Sequence, residues 1–124
     1  MNRGEFIKKL QDADLAPEHY VVTAGGSLLL HGIREETQDI DLACTASLAQ
    51  KLIDDGFPQS VRYGKRRIEI AEDFEVYEET SLPDFVLIDG IPAMTLDEVI
   101  AMKKRMGRDK DLRDLELIEK FLNK

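Results

Sequence analysis

The stretch from Tyr20 to Cys44 constrains the fold more than any other part of the chain. It starts with a β-branched apolar run, meets two glycines and a serine, continues as a short apolar segment, and reaches the alternating sequence Asp39-Ile40-Asp41-Leu42. An apolar run that stops at glycines is typical of a strand that turns into a helix. The stretch therefore predicts a strand from 20 to 24, a short helix from 27 to 32, and a second strand that carries both aspartates.

The glycine turn is a candidate anion site. Glycine lets the backbone approach an anion closely, and the free N–H groups at a helix start point toward that anion. Ser27 adds a hydroxyl donor to Gly25 and Gly26. The turn predicts a phosphate cradle, although two glycines in a row also serve as a simple strand-to-helix connection.

Asp39 and Asp41 are a candidate metal site. At positions i and i+2 of a strand they leave the same face, roughly 6.5 Å apart. Paired carboxylates can hold hard cations such as Mg²⁺, and two such ions about 3.5 to 4 Å apart recur in phosphoryl chemistry. The alternative is a solvated strand face without metal.

The order of these motifs resembles the nucleotidyltransferases of the DNA polymerase beta superfamily. Their signature is a glycine turn, about ten residues, and an acidic pair between apolar residues. The pattern R-x-x-T-x-D-I-D, which spans 34 to 41, is most similar to small stand-alone members related to abortive-infection toxin nucleotidyltransferases. It is less similar to the minimal type that pairs with a partner nuclease, where Ala-Arg-Gly follows the turn.

The resemblance implies a third carboxylate on a strand beside the acidic pair. Glu75, between Phe74 and Val76, is the first candidate, Glu69 the second and Asp73 the third. The family more often has an aspartate at this position, and each of these residues could equally belong to a solvated strand face.

Lys103 occupies an unexpected position on the helix predicted to begin at Thr95-Leu96-Asp97-Glu98. At 100° per residue it falls in the middle of an apolar arc formed by Leu96, Val99, Ile100 and Met106. A lysine there must extend its ammonium to solvent or meet a negative partner, since an unpaired buried charge is costly. The functional interpretation directs this ammonium toward phosphates.

The resemblance also implies roles for residues near the C-terminus. The segment ending at Lys103 and the later R-x-K-D-x-x-D segment from Arg108 to Asp114 match the family, whose lysine and late aspartate belong to the active site. The roles carry over to Lys103 and to Asp111, which could instead cap the last helix. Arg34 could contact phosphate or pair with a carboxylate.

Composition limits the remaining possibilities. With 124 residues the chain fits one domain, 1–124, and its net charge of −8 argues against a general nucleic-acid coat. A single cysteine indicates a reducing compartment, and no apolar run is long enough to predict export or a membrane span, so we expect a cytoplasmic protein.

We expect an α/β fold: a small mixed sheet of four or five strands with helices packed mainly on one face. The resemblance implies transfer of a nucleoside monophosphate from an NTP to an RNA, protein or small-molecule acceptor, with two Mg²⁺ ions as cofactors. A partner protein or a second copy could complete so small a site. The alternative is an inactive nucleotide- or protein-binding module of the same fold, such as a toxin–antitoxin component.

Overall fold

A computed structural model describes the whole chain, Met1–Lys124. Five helices run along it: α1 (Arg3–Ala13), α2 (Ala24–Leu30), α3 (Ala46–Asp54), α4 (Leu96–Met106) and α5 (Asp109–Leu122). Side chains cap three of them: Asn2, Thr45 and Thr95 each accept a hydrogen bond from a backbone N–H of the first turn. None of the helices is both long and apolar enough to cross a bilayer.

Seven strands form one mixed sheet in the order β3-β4-β5-β2-β1-β7-β6. They are β1 (Tyr20–Val22), β2 (Ile40–Cys44), β3 (Gln59–Arg62), β4 (Lys65–Ala71), β5 (Phe74–Glu78), β6 (Phe85–Ile88) and β7 (Ile91–Met94). β2 lies antiparallel to β1 and parallel to β5 at the centre of the sheet. The α/β fold class is as predicted.

The two faces of the sheet are covered unequally. The larger core of 17 buried residues combines alternate strand residues, among them Ile40, Leu42 and Val76, with α1, α2 and α3. The smaller core of five lies on the other face, where Val21 and Met94 meet Val99 of α4 and Ile118 of α5. Asp41 alternates with Ile40 and Leu42, so it belongs to this second face, which is less covered.

The sheet has more strands than the four or five that the sequence predicts. β7 contains Pro92, which obscured it as a strand, and every residue of β3 is exposed, so it shows no apolar alternation. Asp89 and Gly90 form the turn between β6 and β7, and both residues have positive φ.

Candidate functional site

A cavity of about 1270 Å³ lies over the less covered face of the sheet. Its wall includes residues from β2, β5, the β3–β4 connection, α4 and α5. Both basic and acidic side chains line the cavity. The basic lining residues are Arg34, Arg62, Lys65, Lys103, Arg105, Arg108, Lys110 and Arg113.

Carboxylates from two adjacent strands lie at one place in this cavity. Asp41 of β2 is in register with Glu75 of β5, and Ile40 donates its N–H to the carbonyl of Asp73 at 2.8 Å, which places Asp39 beside Asp73. In-register neighbours on paired strands are about 4.8 Å apart. All four carboxylates line the cavity. This arrangement concentrates negative charge where the strands begin.

Burial and the crowding of these carboxylates raise the pKa values of Asp41 and Asp39. Burial, then the charges of Glu75 and Asp39, raise the pKa of Asp41 to about 6. Burial and the neighbouring Asp73 raise the pKa of Asp39, while Lys110 opposes the shift. A carboxylate in a cavity whose pKa is raised as far as that of Asp41 is typical of a functional site.

Glu75 differs from its neighbours because other side chains already neutralise it. Arg67 donates a hydrogen bond to one carboxylate oxygen, and the Tyr77 hydroxyl donates to the other at 2.7 Å. The hydrogen bond from Arg67 is the main cause of the lowered pKa of Glu75. Glu69 lies opposite Glu75 on β4 but does not line the cavity.

As the side chains stand, no three carboxylate, imidazole or thiol groups converge closely enough to hold a metal ion. The donor chemistry nevertheless suits Mg²⁺, which prefers carboxylate oxygens. The raised pKa of Asp41 is compatible with this, because a bound cation would offset the cost of burying its charge and the repulsion from Glu75 and Asp39.

The glycine turn differs from its prediction. The helix begins at Ala24, so both glycines and Ser27 lie inside α2. Only Gly25 lines the cavity. Gly26 is buried against Phe6, and Ser27 is fully buried and donates its hydroxyl to the Met94 carbonyl at 2.7 Å. In this structure Gly26 and Ser27 pack and anchor α2 and are not open to a phosphate.

The two glycines should respond differently to alanine. In Gly26→Ala the added Cβ would lie 2.7 Å from the Phe6 ring and 2.8 Å from Val22, so we expect a loss of about 1–3 kcal/mol in urea unfolding. In Gly25→Ala it would meet the Arg34 guanidinium at 2.8 Å and the Thr37 hydroxyl at 3.0 Å, and the flexible Arg34 side chain can move aside. A comparable loss in both variants would contradict this distinction.

Lys103 lines the same cavity as Asp39 and Asp41, but its ammonium is already paired. The residue is 5% exposed, and its Nζ lies 3.2 Å from Asp111 and 2.9 Å from Asp114. Of the alternatives that the sequence leaves open, the structure places the ammonium on negative partners rather than at solvent. Lys103 therefore joins α4 to α5.

Asp111 occupies the capping position that the sequence offers as its alternative role. It accepts a hydrogen bond from the Arg108 N–H at 3.1 Å and two from the Arg108 guanidinium. It is fully buried and does not line the cavity. Arg34 does line it, and its guanidinium lies 4.0 Å from Asp114, so it is only loosely paired.

Lys110 is a cavity lysine to which sequence analysis gave no role of its own. It is exposed, lines the cavity, has no carboxylate within ion-pair distance, and lowers the pKa of both Asp39 and Asp41 by its charge. Its neighbours Arg108 and Asp111 were already prominent in the R-x-K-D-x-x-D segment. The signal was therefore present, but Lys103 on its apolar arc was the more unusual residue.

The fold is similar to that of a known protein. A crystal structure of a “putative nucleotidyltransferase” from Thermotoga maritima matches 99% of this chain and 96% of its own chain, with a TM-score of 0.60 and 20% sequence identity. No protein-family model matches the chain, and no curated protein does. At this identity the likeness shows the fold alone: the chain has a nucleotidyltransferase-like α/β fold.

Proposed function

We propose that the protein is a metal-dependent nucleotidyltransferase that moves a nucleoside monophosphate from an NTP to an acceptor hydroxyl or phosphate. The observation that carries this proposal is the carboxylate group that two in-register strands place in a large cavity with basic walls. The nucleotidyltransferase-like fold is consistent with it.

Asp39 and Asp41 are the proposed metal ligands, with one further carboxylate. Asp73 lies beside Asp39 and makes no ion pair, whereas Glu75 is held by Arg67 and Tyr77. We therefore place Asp73 ahead of Glu75 as the third ligand, and Glu75 positions Arg67 and Tyr77. Mg²⁺ at these carboxylates would neutralise the triphosphate and lower the pKa of the attacking hydroxyl.

The phosphates of the NTP are assigned to Lys110 and Arg34. Both line the cavity, and neither is closely paired with a carboxylate. Lys110 acts electrostatically on Asp39 and Asp41, so a phosphate above the acidic pair would lie within its field. An ammonium and a guanidinium placed there would stabilise charge on the leaving pyrophosphate. Gly25 keeps the backbone below Arg34 free of a side chain.

Calorimetry with NTP and Mg²⁺ tests the site. We expect metal-dependent binding that Asp41→Ala abolishes and that Asp54→Ala, an exposed change on α3, leaves unchanged. If wild-type protein bound no NTP, or if Asp41→Ala bound it equally well, the site would be wrongly placed.

The third metal ligand is tested by two further variants. Asp73→Asn should weaken Mg²⁺ binding more than Glu75→Gln does, and the reverse order would restore Glu75 as the third ligand.

A module that binds a nucleotide or a protein without transferring a nucleotide is the second candidate. It is favoured by the neutralised Glu75 and by the absence of three converging metal ligands. Incubation with labelled NTPs and a pool of cellular RNA and protein separates the two functions. Label on an acceptor supports the transferase, while Asp41-dependent binding without any labelled product supports the module, for example as one component of a toxin–antitoxin pair.

A further inference from the structure

The tip of the β3–β4 hairpin carries a large aromatic residue in a conformation that suits small ones. Tyr63 and Gly64 form the two-residue turn, with φ of 56° and 73°. Such turns favour Asn, Asp or Gly, because a bulky side chain at positive φ is strained. The Tyr63 side chain gains little packing in return, since the residue remains 62% exposed. Strain without burial is a reason to look for a ligand.

The exposed ring belongs to the wall of the cavity. Tyr63 and Tyr77 both line it, with ring centroids 6.4 Å apart and planes tilted by 35°. The Arg62 guanidinium lies 4.9 Å from the centre of the Tyr63 ring. Tyr77 links this aromatic pair to the acidic cluster, because its hydroxyl donates to Glu75.

Arg62 also supplies positive charge that the protein leaves largely free. Its nearest carboxylate is Glu75 at 3.9 Å, and its side chain is 52% exposed. A guanidinium has five N–H donors in a planar arrangement that matches a phosphate group, and it can lie over an aromatic face at the same time. An aromatic ring beside a free guanidinium is the combination that holds a base together with its phosphate.

We propose that Tyr63, Tyr77 and Arg62 form a subsite for an unpaired nucleobase, which stacks on Tyr63 while its phosphate contacts Arg62. This inference rests on the proposed function, since the occupant must lie beside the carboxylates. The base has two sources, the NTP itself or the terminal nucleotide of a nucleic-acid acceptor.

Tyrosine NMR reports on this subsite directly. The chain has three tyrosines and no tryptophan, and the third tyrosine, Tyr20, is buried in the larger core. With ¹³C-labelled tyrosine, a stacked base should shift the ring signals of Tyr63 and Tyr77 and leave Tyr20 as an internal reference. The experiment has two arms. In the first, the protein is titrated with each of the four nonhydrolysable NTPs in the presence of Mg²⁺. In the second, it is titrated with single-stranded RNA pentamers, one for each base.

Shifts with the NTP identify the base of the donor, and shifts with RNA identify the base of the acceptor. In Tyr63→Ala we expect the ligand that produces the shifts to bind roughly 5- to 100-fold more weakly, as for the loss of one stacked base. Tyr63→Phe should stay within about twofold. Val61→Ala is the matched control, since Val61 is 76% exposed on the same hairpin and lies outside the cavity.

Tyr63→Asn separates binding from folding. Asparagine suits the positive φ at position 63, so the Tm of the Tyr63→Asn variant should rise by a few degrees. Its affinity for the base should fall as in Tyr63→Ala. The inference is overturned if no ligand moves the Tyr63 signal, or if Tyr63→Ala binds every ligand like wild type. If Asp41-dependent NTP binding persists in that case, the proposed function stands without this subsite. If wild type binds no NTP at all, both fall.

Discussion

Replacing Lys103 by methionine should cost about 3–5 kcal/mol of unfolding free energy, the typical cost of breaking a buried ion pair. The change leaves Asp114 with only the distant Arg34 and removes one partner of Asp111. Because methionine keeps the apolar stem, lost packing contributes little. Urea unfolding at neutral pH measures the effect, and Lys104→Met, the exposed neighbour on α4, should stay within about 0.5 kcal/mol of wild type.

The same experiment separates the two roles considered for Lys103. A variant that keeps its stability but no longer binds NTP would make Lys103 a phosphate ligand, contrary to the ion pairs of the structure.

The pH dependence of the unfolding free energy gives a second test of this cluster, through Asp111. Burial alone would raise its pKa, but hydrogen bonds from Arg108 and Lys103 hold it at about 2. The ionised Asp111 carboxylate therefore contributes to the unfolding free energy above pH 3.8, and this contribution is lost as pH falls through 2. Asp111→Asn should remove this acid-sensitive part.

Asp41→Asn should instead stabilise the metal-free protein at pH 7, by about 2 kcal/mol. Burial and neighbouring carboxylates raise the pKa of Asp41 to about 6, so ionising it in the folded state is costly. The native state holds this proton more tightly than the unfolded chain. Wild-type stability should therefore fall as pH rises from about 4 to 6, and the variant should lack that fall. Thermal unfolding with a chelator between pH 4 and pH 7 measures both the gain in stability of Asp41→Asn and the pH dependence of wild type.

Adding Mg²⁺ supplies the complementary measurement. Mg²⁺ that binds only the folded protein should raise the Tm of wild type and leave that of Asp41→Asn nearly unchanged. Asp54→Asn is the control, because its carboxylate lies on α3 away from the cavity. If Asp41→Asn were less stable than wild type without metal, Asp41 would have a structural role and the metal site would lose its main support. A stabilising change that abolishes binding is the expected signature of a functional group.

Local patterns predicted much of the fold because they depend on neighbours in sequence. Thr95 caps a helix that begins where the sequence predicts it, and the β-branched run that starts at Tyr20 forms β1. The start of α2 was placed three residues late, because the glycines were expected to precede a helix that includes them. β3 was missed since all its side chains face solvent.

The candidate site was predictable only where one short stretch carries it. Spacing alone put Asp39 and Asp41 on one side, and both line the cavity, but the strand begins one residue later than predicted, so Asp39 precedes β2. The partners of Lys103 depend on how α5 packs against α4, which no local pattern contains. For the same reason, Asp73 could be ranked against Glu75 only after the ion pair of Glu75 with Arg67 was known.

The unequal covering of the sheet has a consequence for how such a protein can change over evolutionary time. The larger core holds most of the buried apolar residues, whereas most polar side chains that line the cavity are exposed or half-exposed. Substitutions on that face alter charge and shape without opening a void in the interior. The side chains of that face can therefore change while the architecture persists, and the fold is shared with another protein at only 20% sequence identity.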